Sequence, residues 1–231
     1  MISHYQLTGI TKYYGDKVAL DLEELTILPR HIYVLTGANG SGKSTLLNIL
    51  AFLSKPERGE IKFDGKRVEW RNTELQALRR KVTLLHQSPY LFSGTVSGNI
   101  AYGLKLRGVK DGLLKERVSE ALGLVFLAGF EKRNVRQLSG GEARRVALAR
   151  ALALQPEVLL FDEPLANLDE VSAAVVDEII AALPNQGTTV VMATHDPQQA
   201  GRLGGTTVHL VDNRLDRSPT EQNMESSENQ V

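Results

Sequence analysis

The chain has 231 residues, 42% of them hydrophobic, a formal net charge of zero and no cysteine. That length supports one sizeable domain with two lobes on a shared core. Zero net charge argues against a protein whose main task is to hold nucleic acid by its phosphates, and the missing thiols exclude disulfides and thiolate metal sites.

Residues 1–7 carry neither a basic n-region nor an apolar h-region, so no secretory signal is expected. Residues 5–28, together with 59–63, read as antiparallel strands at one side of the domain. Residues 32–36 are a short β-rich run leading into a glycine-rich loop, after which Leu46, Leu47, Leu50 and Leu53 recur at helical spacing. Residues 82–85 and 158–161 are continuous apolar runs, as central strands buried on both faces require. Between them, residues 95–130 read as helices without strands, a helical lobe inserted at about 88–140. Val171, Val175, Ile179 and Leu183 mark one helix face, and residues 188–194 supply another central strand. The alternation predicts an α/β fold with a largely parallel sheet, an antiparallel β subdomain and an inserted α-helical lobe. The most apolar stretch, 121–130, is about half the roughly 20 residues a bilayer-crossing helix needs, so any membrane role is expected to pass through a partner. Residues 218–231, rich in Ser, Asn, Gln and Glu, read as a disordered tail after a domain spanning 1–217.

Three motifs carry the chemistry. Gly37-Ala38-Asn39-Gly40-Ser41-Gly42-Lys43-Ser44 fits G-x-x-x-x-G-K-[ST], with Thr45 following as a further nucleotide contact. Glycines let backbone N–H groups converge on phosphate oxygens, and a helix starting near Lys43 adds the partial positive charge of its N-terminus. Lys43 is a point charge for the β- and γ-phosphates, and Ser44 offers a hydroxyl to Mg²⁺. Further on, the apolar run at 158–161 delivers Asp162 and Glu163 at a strand's C-terminal end, where α/β proteins place ligands. Asp162 suits the Mg²⁺ shell, and Glu163 suits polarisation of an attacking water. Leu138-Ser139-Gly140-Gly141-Glu142 sets a serine and two glycines at another helix start, a second anion-binding arrangement. Two such helix starts suggest two nucleotides or a shared one.

In this order the motifs resemble those of ABC ATPases, built on a P-loop NTPase core, over about residues 3–215. The resemblance implies that Ser139, Gly140 and Gly141 are the signature that contacts nucleotide. Gln87, after the strand at 82–85, matches the Q-loop glutamine that binds Mg²⁺ and water. Asn167-Leu168-Asp169 resembles the D-loop that crosses a dimer interface. His195, in Ala193-Thr194-His195-Asp196, matches the switch histidine that contacts the γ-phosphate, so Glu163, His195 and Gln87 are the expected catalytic set. Tyr14, before Gly15, resembles the aromatic that stacks on adenine, with Tyr13 as the competing candidate. Two departures occur: Ala143-Arg144-Arg145 where Gln is frequent, and Ala166-Asn167 where Ser-Ala is common. Neither removes a phosphate or Mg²⁺ contact, and their expected effect is on dimer contacts.

The family implies two subunits packed head to tail, with ATP and Mg²⁺ clamped between the phosphate loop of one and the signature of the other. One chain carries each motif once, so a second copy of itself is required, and a C2 dimer makes both sites from the same surface. The interval from Gln87 to Leu138 shows no sustained heptads, against the long coiled coil of chromosomal ABC ATPases. A single nucleotide domain argues against the translation-associated kind. That leaves the ATPase of a transporter, an importer by expectation with an exporter or an importer of another small solute as the alternative, expected at the cytoplasmic face of the membrane. Its expected partners are permease subunits and, indirectly, a solute-binding protein, with no nucleic acid. Residues 88–108 resemble the segment of oxyanion importers, tungstate and molybdate especially, that helps receive a permease coupling helix. The plainer alternative has Asn99, Ala101 and Leu104 simply packing inside the lobe.

Overall fold

The computed structural model describes residues 3–166, 168–196 and 198–216. The expected tail at 218–231 and Asn167 lie outside them. In chain order the elements are β1 (Tyr5–Tyr14), β2 (Lys17–Ile27), β3 (Ile32–Thr36), α1 (Lys43–Leu50), β4 (Arg58–Phe63), β5 (Lys66–Arg67), α2 (Asn72–Lys81), β6 (Val82–Leu85), α3 (Val96–Leu106), α4 (Asp111–Leu124), α5 (Gly140–Leu152), β7 (Val158–Asp162), α6 (Glu170–Ala182), β8 (Thr189–Ala193), α7 (Gln199–Leu203), β9 (Thr206–Val211) and β10 (Arg214–Leu215).

The strands form an antiparallel sheet, β2-β1-β4-β5, and a six-stranded sheet, β10-β9-β3-β8-β7-β6. In the second sheet β9, β3, β8, β7 and β6 all run parallel, and only β10 is reversed. Period-two alternation divides the parallel strands between two cores. Val34, Leu159, Phe161, Val190 and Met192 face the helices α3 to α6. Tyr33, Leu35, Leu160, Val191 and Ala193 face α1, α2 and the antiparallel sheet. Each fully buried Leu or Phe in these layers contributes roughly 1.5–3 kcal/mol. The helical lobe carries no strand between β6 and β7, as its sequence predicts. Among the described residues no helix is long and apolar enough to cross a membrane.

Three local expectations are corrected. Helix α1 stops at Leu50, and Leu53 is exposed. Phe52 takes a left-handed φ of 57° and inserts beside Tyr5 and Phe63 instead, which turns the chain and ends the helical stripe. On α6 Ile179 and Leu183 reach the core and Val175 packs against it, joined by Val176 and Ile180, whereas Val171 is 76% exposed in the first turn. Strand β6 is not central: it pairs with β7 alone, and Thr83, Leu84 and Leu85 are only half-buried.

Parallel pairing has one consequence for function. The C-terminal ends of β3, β8, β7 and β6 lie side by side, with Leu35 opposite Ala193, Ala193 opposite Asp162, and Phe161 opposite Leu85. The chain segments leaving that edge carry the phosphate loop, His195, Glu163 and Gln87.

Candidate functional site

The phosphate loop leaves β3 through Gly37, at φ 138°. A Cβ there would lie 2.2 Å from the Leu210 carbonyl oxygen of β9, so only glycine lets the loop pass. Gly42, also left-handed, occupies the N-cap of α1. No side chain caps this helix and no acid stands in its first turn, which leaves its N-terminal N–H groups and partial positive charge available to an anion. Lys43 is buried and folds back over its own loop, donating from Nζ to the carbonyls of Gly37 at 2.7 Å and Ala38 at 2.9 Å. The buried Ser41 hydroxyl has no hydrogen-bond partner among the described residues. Ala38, Asn39, Gly40 and Ser44 are exposed and Thr45 is half-buried. A donor-rich loop, an orphaned hydroxyl and a cation suit a polyphosphate, and the exposed Ser44 hydroxyl suits its Mg²⁺.

Next along the edge, Asp162 ends β7 and Glu163 follows it at a left-handed φ of 51°. The Glu163 N–H donates to the Ala193 carbonyl at 2.9 Å, which ties the residue to β8. Gln87 Nε2 donates to Glu163 Oε2 at 3.0 Å, and His195 Nδ1 lies 3.7 Å from the same oxygen. These three expected catalytic side chains line one cavity of about 360 Å³, together with Thr194, Asp196 and Gln199. The hydrogen bond from Arg202 holds the Asp196 carboxyl below the usual carboxylate range, at an Nη2–Oδ2 distance of 2.8 Å. A larger cavity, about 460 Å³ and lined in part by Arg117, Leu124, Pro156 and Gln186, contains none of the motif residues.

The signature is built differently. Ser139 is the N-cap of α5, and its hydroxyl accepts from the Glu142 N–H while Glu142 accepts from the Ser139 N–H at 2.8 Å. This reciprocal capping box satisfies two helix-end donors. The Ser139 N–H, aided by Arg133, pulls the Glu142 carboxyl below its ordinary pKa. Ser139 and Gly140 are exposed, but Gly141 is buried. A Cβ on Gly141 would meet the Ser172 hydroxyl at 2.4 Å. Residues 138–142 contribute nothing to the lining of the Glu163 cavity.

Asp169 has both carboxylate oxygens engaged within its own chain: one accepts from the Ser172 N–H and the other from its hydroxyl, capping α6. Tyr14 is exposed at the end of β1 with Lys12 Nζ 5.5 Å from its ring centroid, whereas Tyr13 is half-buried. Asn99, Ala101 and Leu104 are buried in the lobe, while Tyr90, Phe92 and Tyr102 from the same segment are exposed. Asn99 accepts from the Phe92 N–H and donates to the carbonyls of Phe92 and Thr95, which fixes that loop. The Arg144 guanidinium turns into its own chain, onto the carbonyls of Pro164, Ala166 and Gln87.

Residues 20–166 match the ABC transporter family. The chain belongs to that family. It is similar to an Fe(3+) ions import ATP-binding protein of Photorhabdus laumondii, at 44% identity over 84% of this chain and 55% of that protein. A phosphate import ATP-binding protein of Natronomonas pharaonis is 38% identical over 93% of this chain and 80% of its own length. The chain thus spans about half the length of the iron-import relative it matches. Among solved structures, cbiO1 from Clostridium perfringens, part of the ABC transporter complex cbiONQ, superposes with a TM-score of 0.87 at 26% identity, covering 94% of this chain and 88% of that one. A dimeric bacterial ABC transporter cassette gives 0.82 at 33% identity, covering 92% and 97%.

Proposed function

We propose that the chain hydrolyses ATP at two sites shared between two copies and so powers an ABC importer. The observation that carries this reading is the convergence of Gln87, Glu163 and His195 on one cavity, at the same sheet edge from which the phosphate loop leaves. Lys43 leaves the carbonyls of Gly37 and Ala38 for the β- and γ-phosphates, trading two neutral acceptors for anionic ones. Glu163, its side chain 20% exposed, takes the proton of the water that attacks the γ-phosphorus. Gln87 orients that carboxylate, and His195 stands where it reaches the transferred phosphoryl group. Ser44, Gln87 and Asp162 would hold Mg²⁺, which neutralises charge on the phosphates when bound.

The dimer reading draws on the exposure of the signature. Ser139 and Gly140 are exposed, and similar cassettes have been solved as dimers. ATP then bridges Lys43 and His195 of one copy and Ser139, Gly140 and Gly141 of the other. In this reading Asp169 stands beside the interface and Tyr14 against adenine. Hydrolysis removes the bridge and releases the dimer.

Membrane attachment is proposed through permease subunits at the cytoplasmic face, with a solute-binding protein acting through them. Its support is the import function of the named relatives and the exposed Tyr90, Phe92 and Tyr102 rings, which pack on one another at centroid distances of 5.7 and 4.6 Å. For cargo, the tungstate-type oxyanion reading rests on residues 88–108 alone. The named relatives are ATP-binding proteins of Fe(3+) and phosphate import, and cargo choice belongs to the permease and binding protein. Uptake of labelled tungstate by membranes holding the co-purified permease tests it, and uptake independent of this chain would overturn it.

The decisive test is Glu163→Gln. It retains ATP binding, loses turnover by about 10²–10⁴-fold, and runs as an ATP-dependent dimer on light scattering. A variant that stays monomeric with saturating ATP would defeat the shared-site reading.

A further inference from the structure

Arg144 lies on α5, just beyond the capping box. Its Nη1 donates to the Pro164 carbonyl at 2.9 Å and the Ala166 carbonyl at 2.5 Å, and its Nη2 donates to the Gln87 carbonyl. All three acceptors sit in segments that leave the ends of strands, where no ladder partner exists for them. A guanidinium is suited to this task, because its donors form a rigid planar fork and its charge strengthens each bond. Burial lowers the Arg144 pKa from its ordinary value, but the group remains a cation.

The two segments it joins are those of the proposed catalytic pair. Gln87 is one acceptor itself, and Pro164 directly follows Glu163. Glu163 sits at φ 51°, a backbone state that persists only where its surroundings over-determine it. On one side the Ala193 carbonyl accepts its N–H; on the other, Arg144 pins the next carbonyl. The Gln87–Glu163 side-chain hydrogen bond therefore spans two backbones held by one guanidinium. That guanidinium rides on the helix whose first turn is the signature.

We propose that Arg144 is a positioning residue: it sets Gln87 and Glu163 relative to each other and links both rigidly to the signature helix of the same chain. A displacement of α5 by the partner's nucleotide is then felt at the water-polarising carboxylate of this chain's own site. This proposal rests on the ATPase reading above, but its geometry is testable without turnover.

Hydrogen exchange followed by mass spectrometry compares the wild-type chain with Arg144→Ala and Arg144→Lys. Three amides report on the held segment: Glu163 donating to Ala193, Ala166 to Glu163, and Leu168 to Leu165. Peptides covering them should exchange at least tenfold faster in Arg144→Ala, while peptides of the phosphate loop and α1 stay unchanged. Unchanged exchange at 163–168 would overturn the proposal, as would a uniform rise across the chain. Steady-state ATPase assays add the functional side. Arg144→Ala should lose about 10–100-fold in kcat with KM for ATP within about threefold, and millimolar free guanidinium should restore several-fold of the loss. Arg144→Lys, a point donor in place of a fork, should recover only part. A kcat within twofold of an active wild type, or a loss carried by KM, would overturn the positioning role. Should Arg144→Ala fail to fold, Arg144→Lys with and without guanidinium carries the same comparison. A wild-type chain with no ATPase activity would defeat the proposed function and leave the exchange result to decide the geometry.

Discussion

The chain begins two helices with glycine-rich loops, and the two are prepared in opposite ways. At α1 the N-terminus has no side-chain cap and no acid, a cation folded over it and an orphaned hydroxyl beside it. At α5 the N-terminus is closed by its own serine and glutamate, and the glutamate is further held by Arg133. The first end is poised for an anion by itself. The second already faces a carboxylate, so its remaining attraction for a phosphate is weak. Under the proposed shared site, the difference implies an order of events: nucleotide would bind the phosphate loop of one copy first, and the signature of the other would join only an anion that is already held.

Gly37→Ala is the largest perturbation available to the first end. Its Cβ would collide with the Leu210 carbonyl oxygen at 2.2 Å, in a backbone state that alanine disfavours. A loss of roughly 3 kcal/mol or more in urea unfolding is expected, together with loss of fluorescent-nucleotide binding. Retained binding would mean that the loop does not need its close passage under β9. Gly141→Ala does the equivalent at the second end, against the Ser172 hydroxyl at 2.4 Å. It should cost about 1–3 kcal/mol, leave monomer nucleotide affinity near wild type, and recover in part with Ser172→Ala. Loss of monomer nucleotide affinity would erase the contrast between the two ends.

Ser139→Ala is milder, at about 1 kcal/mol for a lost N-cap. Its capping partner carries a pH signature. The native Glu142 pKa is lowered by the Ser139 N–H and by Arg133, so its stabilisation is complete above the unfolded value of about 4.3. It disappears as pH falls through the lower native value. The difference in urea midpoint between wild type and Glu142→Gln should therefore shrink between about pH 5 and pH 3; a difference that grows on acidification would refute the closed-end description.

How far the residues alone foretell this molecule follows from what each feature is made of. The phosphate loop is readable because its backbone requires glycine where β9 passes close, and that requirement shows as a pattern. The parallel sheet is readable because strands buried on both faces need apolar runs. Whether such a run sits at the centre or the edge is not readable, since Val82 to Leu85 looks alike with one neighbour or two. Arg144 escaped for a different reason: its acceptors are main-chain carbonyls, which any residue supplies, so nothing in the sequence marks the partners of its fork. Asp169 shows the converse, because a D-loop carboxylate and a helix N-cap are written with the same letter.

Strand β3, which feeds the phosphate loop, is flanked by β8 and β9, and the Thr36 hydroxyl is paired with His209, 173 positions further on. The Asp21 N–H reaches similarly far, to the Asn213 carbonyl. On a ribosome adding about 5–20 residues per second, the loop emerges on the order of ten seconds before the strand that forms its bed. Until then its glycines have no Leu210 carbonyl to pass and its apolar strand has an open edge. The nascent protein is thus committed to shielding that edge from other chains long before it has a place to put a phosphate.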